Sequence, residues 1–229
     1  MKNNRQISEQ MNNSIQTMIA GLAHEIKNPL NSIKGASEFL NKKYCNLEEV
    51  KEFTDIIIKE IERLDKYLNE FMSFSRGVKL KLQRVNVENF LSGIIMTIKH
   101  SIPAELRISI NKNLPDINID PEQIRQVIVN LLSNAKEAVK NTENPRIEIK
   151  AWKDSKKIYI AIIDNGMGIK KEELNSIFLP FWTNREDGIG LGLTICKSIV
   201  EKHNGKIKVK SSLNNGSKFI ISFLINKVT

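Results

Sequence analysis

The segment Leu22-Ala23-His24-Glu25-Ile26-Lys27-Asn28-Pro29-Leu30 sets an imidazole beside a carboxylate, a carboxamide four residues on, and a proline directly after that. A histidine with a pKa near ~6.5 keeps much of its ring unprotonated at neutral pH, and the free nitrogen is a competent nucleophile towards the γ-phosphoryl of ATP. Glu25 can take or orient the proton on the other ring nitrogen as positive charge develops, which makes it the natural general base. Asn28, one helical turn from His24, can position a water for hydrolysis of a phosphoryl group on a partner. Pro29 removes a backbone donor and costs about 3 kcal/mol in an ordinary helix interior, so its position predicts a bend just past the histidine.

A second set of residues could hold the nucleotide. Asn130 and Asn134 share one face of a helix within Asn130-Leu131-Leu132-Ser133-Asn134-Ala135. The amide oxygen of Asn134 can ligate Mg²⁺, which prefers oxygen ligands shared with phosphates, and Asn130 can support a metal-bound water or phosphate. Two asparagines in an otherwise apolar helix are costly if buried unpaired, which favours a functional reason. Asp164 ends an apolar run and precedes Asn165-Gly166-Met167-Gly168. A carboxylate there can accept from the adenine exocyclic amine while Gly166 and Gly168 allow close backbone approach to the base. Gly188-Ile189-Gly190-Leu191-Gly192-Leu193 opens a helix whose first N–H groups can bind phosphate oxygens. Phe178, Pro180 and Phe181 lie just before it and can hinge and pack a lid.

These groups need a scaffold. From Ile7 to about Phe74 there is one proline, and apolar residues keep helical spacing. Met11, Ile15, Met18, Leu22, Ile26, Leu30 and Ile33 mark a first helix; Ile57, Ile61, Leu64, Leu68 and Phe71 alternate by four and three in a second. The turn is expected from Asn41 to Glu48, with Asn46 as the cap. Two helices cannot enclose a core, whereas a two-fold pair of hairpins makes a four-helix bundle, so a homodimer is expected.

After Ser75-Arg76-Gly77 the pattern changes, and the domains are set at 1–76 and 77–229. Strands are expected from Lys79 to Val85, Leu106 to Asn111, Arg146 to Lys153, Lys157 to Asp164, Lys206 to Ser211 and Lys218 to Ile225. Helices are expected from Val87 to His100, Asp120 to Lys140, Lys171 to Phe178 and Leu191 to His203. Asp120-Pro121-Glu122-Gln123 is a capped helix start, and Asn214-Asn215-Gly216-Ser217 a hairpin.

The 229 residues carry 35 Lys and Arg against 26 Asp and Glu, a formal charge of +9 without a long basic block. Aromatics are only 6% of the chain, so nucleic-acid binding by base stacking is not expected. Cys45 and Cys196 are far apart, giving no disulfide framework. With no apolar run near the ~18 residues that span a bilayer and no signal-peptide core, a soluble cytoplasmic chain is expected.

The string around His24 resembles the phosphoacceptor box of sensor histidine kinases. The four downstream elements, in order, resemble the N box, first glycine box, F box and second glycine box of the GHKL ATPases. The resemblance runs from about Ile15 to Phe223. It implies an α helical hairpin forming a dimeric four-helix bundle, then an α/β sandwich with a mixed sheet and ATP on the helical side. It also implies autophosphorylation of His24 with ATP and Mg²⁺, and transfer to an aspartate in the receiver domain of a response regulator. The alternatives are a module that mainly dephosphorylates or sequesters its regulator, and a DNA-associated GHKL ATPase. Thr183-Asn184-Arg185 and Ile189 stand where short-lid relatives often carry Thr-Thr-Lys and a threonine. Arg185 can still clamp the γ-phosphate, with a different geometry from lysine. The short stretch between Phe181 and Gly188 is similar to nitrogen-regulation-type kinases.

Overall fold

The computed structural model describes residues 26–75, 80–184 and 190–225. The chain divides into two compact units, 1–78 and 79–229.

In the first unit, α1 covers residues 26–43 and α2 runs Glu48–Ser75. The helices are joined by the turn at 44–46. Leu47 rather than Asn46 takes the cap position, since its carbonyl accepts the Lys51 N–H at 3.1 Å. Glu48 and Glu49 then place negative charge at the positive end of α2. Between the helices lie Leu30 and Ser37 from α1 and Thr54 and Ile61 from α2, all buried. Each pair is seven residues apart, the repeat of a helix seam. Lys34 Nζ crosses to Glu62 at 3.0 Å, and Asn41 to Asp55 at 2.7 Å. The described residues leave a second stripe exposed: Ile26 (47%), Ile33 (50%), Leu40 (42%), Ile57 (41%) and Leu64 (44%). The segment from Met11 to Leu22 and the side chain of Phe71 lie outside the described residues.

The second unit is an α/β layer pair. In chain order it holds β1 (Gln83–Val85), α3 (Val87–Ile98), β2 (Glu105–Ile110), β3 (Ile117–Ile119), α4 (Pro121–Ala138), β4 (Arg146–Lys153), β5 (Lys157–Asp164), α5 (Gly192–Lys202), β6 (Lys206–Ser211) and β7 (Ser217–Leu224). The main sheet has the order β2-β4-β5-β7-β6. β2 pairs parallel with β4, and the other pairs are antiparallel, so the sheet is mixed. β1 and β3 form a separate antiparallel pair.

One face of the sheet is apolar. Ile147 and Ile149, Ile158, Ile160 and Ile162, and Phe219, Ile221 and Phe223 are at most 5% exposed. α4 and α5 pack on it and on each other through Ile124, Val127, Ile128 and Leu131, and through Ile195 and Ile199. The start of α4 is built as its sequence requires: Asp120 Oδ1 accepts from Glu122 N–H at 3.1 Å and Gln123 N–H at 3.2 Å, with Pro121 in the first turn.

Two further expectations need correction, and one strand is an addition. Residues 171–178 form turns rather than a helix, tied by Ser176 N–H and Ile177 N–H donating to the Glu173 carbonyl. The segment Glu172-Glu173-Leu174-Asn175 has too few apolar positions to hold a regular helix against the sheet. The first strand begins at Gln83 rather than near Lys79. β3 was not expected; three residues between Pro115 and Pro121 are too few to show a period.

Candidate functional site

The loop after β5, the β6–β7 hairpin and the end of α4 meet at the carboxyl end of β5. Asp164, the last residue of that strand, is 6% exposed. Its Oδ1 accepts the Gly166 N–H at 2.9 Å and the Ser217 N–H at 3.2 Å, whereas Oδ2 accepts from no described residue. Burial drives the carboxyl above its ordinary value, and the two N–H donors only partly offset this. An acceptor that no described residue fills, on a carboxylate otherwise held by two backbone N–H groups, can take an amine from a ligand.

The glycines have a reason that the sequence does not reveal. A Cβ on Gly166 would lie 2.2 Å from the Ala138 carbonyl oxygen, and one on Gly168, with φ of +68°, 2.0 Å from that of Ser212. The chain's own backbone, at the end of α4 and in the β6–β7 hairpin, therefore demands them. Met167 N–H donates to the Ala138 carbonyl at 3.0 Å, and Asn214 N–H to the Met167 carbonyl at 2.7 Å. Asn165 fastens the loop from the other side, accepting Arg146 N–H at 2.7 Å and donating to the Asn144 carbonyl at 3.0 Å.

That docking connects the loop to the asparagines. Gln126, Asn130, Asn134 and Ala138 follow one another at i+4 along α4, all half-buried on one rim of its apolar stripe. The ridge ends at Ala138, where Gly166 is seated, so Asn134 stands one turn, about 6 Å, from the Asp164 loop. The Asn130 carboxamide lies near the Cys196 thiol of α5 and acts on its ionisation. That thiol donates to the Val127 carbonyl at 3.8 Å, and complete burial pushes its pKa up to about 12. Cys196 is therefore a packing partner of Asn130 and not a nucleophile.

The last loop comes from α5. Gly190 has φ of +74°, and a Cβ there would meet the Trp182 carbonyl oxygen at 2.3 Å. The start of α5 is thereby clipped to the segment holding Phe178 and Phe181. Thr194 Oγ1 reinforces this by donating to the Phe178 carbonyl at 3.2 Å. Leu191 is fully buried and is the helix cap without a side-chain hydrogen bond, which leaves the Gly192 and Leu193 N–H groups without an intrahelical acceptor. Phe178 is half-buried, while Phe181 is 60% exposed. Phe181 also has φ of +64°, a left-handed conformation that costs a bulky side chain about 1–2 kcal/mol.

Asp164, Gly166, Gly168, Asn130, Asn134, Phe178, Gly190, Leu191, Gly192 and Leu193 thus belong to one continuous region. Arg185 and Gly188 lie outside the described residues, as do His24 and Glu25. Asn28 is exposed on α1. Sequence reasoning missed the brace behind α4. Buried His203 accepts the Asp120 N–H at Nε2 (2.9 Å) and donates from Nδ1 to the Ile199 carbonyl (2.8 Å). His203-Asn204-Gly205 reads as a helix end, with Asn204 at φ of 54°. The partner 83 residues away leaves no local signal.

Residues 14–78 match the family model described as the His Kinase A (phospho-acceptor) domain. Residues 119–227 match the model described as histidine kinase-, DNA gyrase B-, and HSP90-like ATPase. Sensor histidine kinase ZraS of Salmonella typhimurium is 34% identical over 207 residues, 89% of this chain and 44% of that protein. Sporulation kinase D of Bacillus subtilis is 34% identical over 218 residues, 93% of this chain and 42% of that protein. The chain therefore spans under half the length of these curated relatives. Histidine kinase ThkA, solved in complex with response regulator protein TrrA, superposes with a TM-score of 0.69 at 28% identity, over 97% of this chain and 65% of that one. Full-length ShkA in complex with AMPPNP shares the fold, with a TM-score of 0.77 at 23% identity over 93% of this chain and 47% of that one. With a phospho-acceptor domain followed by a GHKL-type ATPase domain, the chain belongs to the sensor histidine kinase family.

Proposed function

We propose that this chain phosphorylates itself on His24 from ATP and passes the phosphoryl group to an aspartate in a response regulator. The observation that carries the reading is the buried Asp164, one oxygen of which no described residue fills, together with the asparagine ridge of α4 and the start of α5 that has no side-chain cap. Residues 1–76 act as the dimerisation and phosphotransfer domain, and 77–229 as the catalytic ATP-binding domain.

Asp164 accepts from the adenine amine, and the first-turn N–H groups of α5 face the phosphates. Among the described residues no cluster of three His, Cys, Asp or Glu side chains could hold a metal. Mg²⁺ would accordingly bind through the phosphates with Asn134 as the protein ligand, where it neutralises charge on the leaving diphosphate. A ring nitrogen of His24 forms the new N–P bond, the bond from the γ-phosphorus to the bridging oxygen breaks, and ADP departs. Glu25 accepts the proton from the other ring nitrogen. Arg185, following Phe181 in a short lid, clamps the γ-phosphate, in keeping with a short-lid subgroup.

The exposed stripe of Ile26, Ile33, Leu40, Ile57 and Leu64 supports a homodimer, because a second hairpin buries it. The complex of ThkA with TrrA supports a response regulator as partner. ATP use and free thiols fit the cytoplasm, and no helix among the described residues is long and apolar enough to cross a membrane.

The test is labelling by γ-labelled ATP with Mg²⁺. His24→Gln should abolish the label while leaving nucleotide affinity unchanged; a label that persists on another residue overturns the assignment.

A further inference from the structure

The face of the main sheet opposite α4 and α5 carries a concentration of positive charge that nucleotide binding does not use. Register and alternation place Lys206, Lys208 and Lys210 of β6 on this face, all exposed. Lys218 of β7 and Lys150 of β4 share it: Lys210 pairs across to Lys218, and the row from Lys208 runs through Ile220 and Ala161 to Lys150. Glu105 and Glu148 lie on the same face towards the opposite edge, and Asp154, just past β4, accepts from the Tyr159 hydroxyl at 2.6 Å. Glu105 is already held by Arg107 at 2.8 Å and Arg146 at 3.2 Å. Glu148 ends the row of Lys210 and Lys218 beyond Ile163, whereas the row from Lys208 to Lys150 contains no carboxylate.

The centre of the face is apolar. Half-buried Ile220 stands in the row next to that of Trp152, and Ile163 one row further; Trp152 stacks on Tyr159 with ring centroids 5.2 Å apart. Lys218 Nζ lies over the Trp152 ring at 5.5 Å.

We propose that this sheet face docks on an anionic lipid bilayer. Two features select that partner. The charges on the β6 half are all lysine, point charges on flexible stems suited to a diffuse headgroup layer, whereas bidentate recognition of single phosphates favours arginine. The Trp152 ring has Tyr159 against it and Lys218 over it, so it offers no open platform for stacking bases. With the Trp152 ring covered, the attraction this face offers is electrostatic, of the kind lysines exert on an anionic headgroup layer. Protection of an exposed strand edge by lysine accounts for β6 alone, not for Lys218 and Lys150 further into the sheet. Docking by this face turns the α4–α5 side, with the nucleotide site, away from the lipid.

The test is cosedimentation of the intact chain with vesicles of phosphatidylcholine containing 30% phosphatidylglycerol, compared with phosphatidylcholine alone. Each lysine near an anionic surface contributes roughly five-fold in partitioning. The triple variant Lys206→Gln/Lys208→Gln/Lys210→Gln should thus bind about a hundred-fold more weakly, with nucleotide affinity unchanged as evidence of folding. A control with equal loss of charge elsewhere, Lys42→Gln/Lys51→Gln/Lys59→Gln, should bind as wild type. The proposal is overturned by absence of binding to anionic vesicles, or by equal losses in both triple variants, which would reflect net charge alone. It is likewise overturned if a single-stranded oligonucleotide at the same salt binds this face more tightly than the vesicles do.

Discussion

Asp164→Asn separates recognition of the adenine amine from the architecture that supports it. The change is isosteric, and the new side-chain oxygen can still accept from Gly166 N–H and Ser217 N–H, now at 2.9 and 3.2 Å. What changes is the second position, where Oδ2 accepts from no described residue and asparagine puts an N–H₂ donor. Opposite a ligand amine, a charge-assisted hydrogen bond worth about 1.5–3 kcal/mol is replaced by two donors facing each other. ATP should therefore bind roughly ten- to a hundred-fold more weakly, each 1.4 kcal/mol being about a factor of ten. Calorimetric titration with ATP and with inosine triphosphate, which has a carbonyl in place of the amine, reads this directly. Wild type should prefer ATP, and the variant should lose most of that preference while melting no lower than wild type. Equal weakening towards both nucleotides, or a wild type indifferent to the amine, would refute the assignment of Asp164.

The same carboxyl has a pH signature. Its folded pKa is raised by burial above the ordinary 3.8, so its contribution to stability is present below the unfolded value and lost as pH rises through the folded one. Asp164→Asn should consequently be the more stable protein at neutral pH, with the difference closing at acid pH in thermal melts. Asp120 behaves oppositely: burial opposes its charge, but the Lys81, Gln123 and Glu122 N–H donors together with His203 outweigh it and lower its pKa. Its stabilisation is present above the unfolded value, near ~3.9, and lost as pH falls through the folded one. Asp120→Ala should cost about 1–3 kcal/mol in denaturant unfolding at pH 7 and less near pH 3, since it removes a cap and the acceptor of Lys81 N–H. Gly166→Ala sets a Cβ at 2.2 Å from a backbone oxygen; it should destabilise by about 1–3 kcal/mol and weaken ATP binding, read by the same titration.

Legibility in the sequence followed the range of the interaction. β4 and β5 are legible to their end residues, β4 from its period of two and β5 as a continuous apolar run of a buried central strand. The cap of α4 was also legible, since Asp120, Pro121 and Gln123 act within one turn. The hairpin turn was less so: Asn46 has the preferred chemistry, yet Leu47 holds the cap position because α2 starts at Glu48. Asp164, Gly166 and Gly168 stood out as a motif, but the reason for the glycines lies in Ala138 and Ser212, brought near only by the fold. His203 and Cys196 were passed over for the same reason. Their partners, Asp120 and Asn130, come from a helix far away in the chain.

The account rests on transfer of a phosphoryl group to a histidine nitrogen, and the chemistry of the bond tests it most directly. The purified chain should be incubated with Mg²⁺ and γ-labelled ATP, then exposed separately to acid and to alkali. A phosphoryl group on nitrogen should be released by acid and survive alkali, and the label should be absent from His24→Gln. A label stable to acid, or no label from a chain that demonstrably binds ATP, would contradict the account.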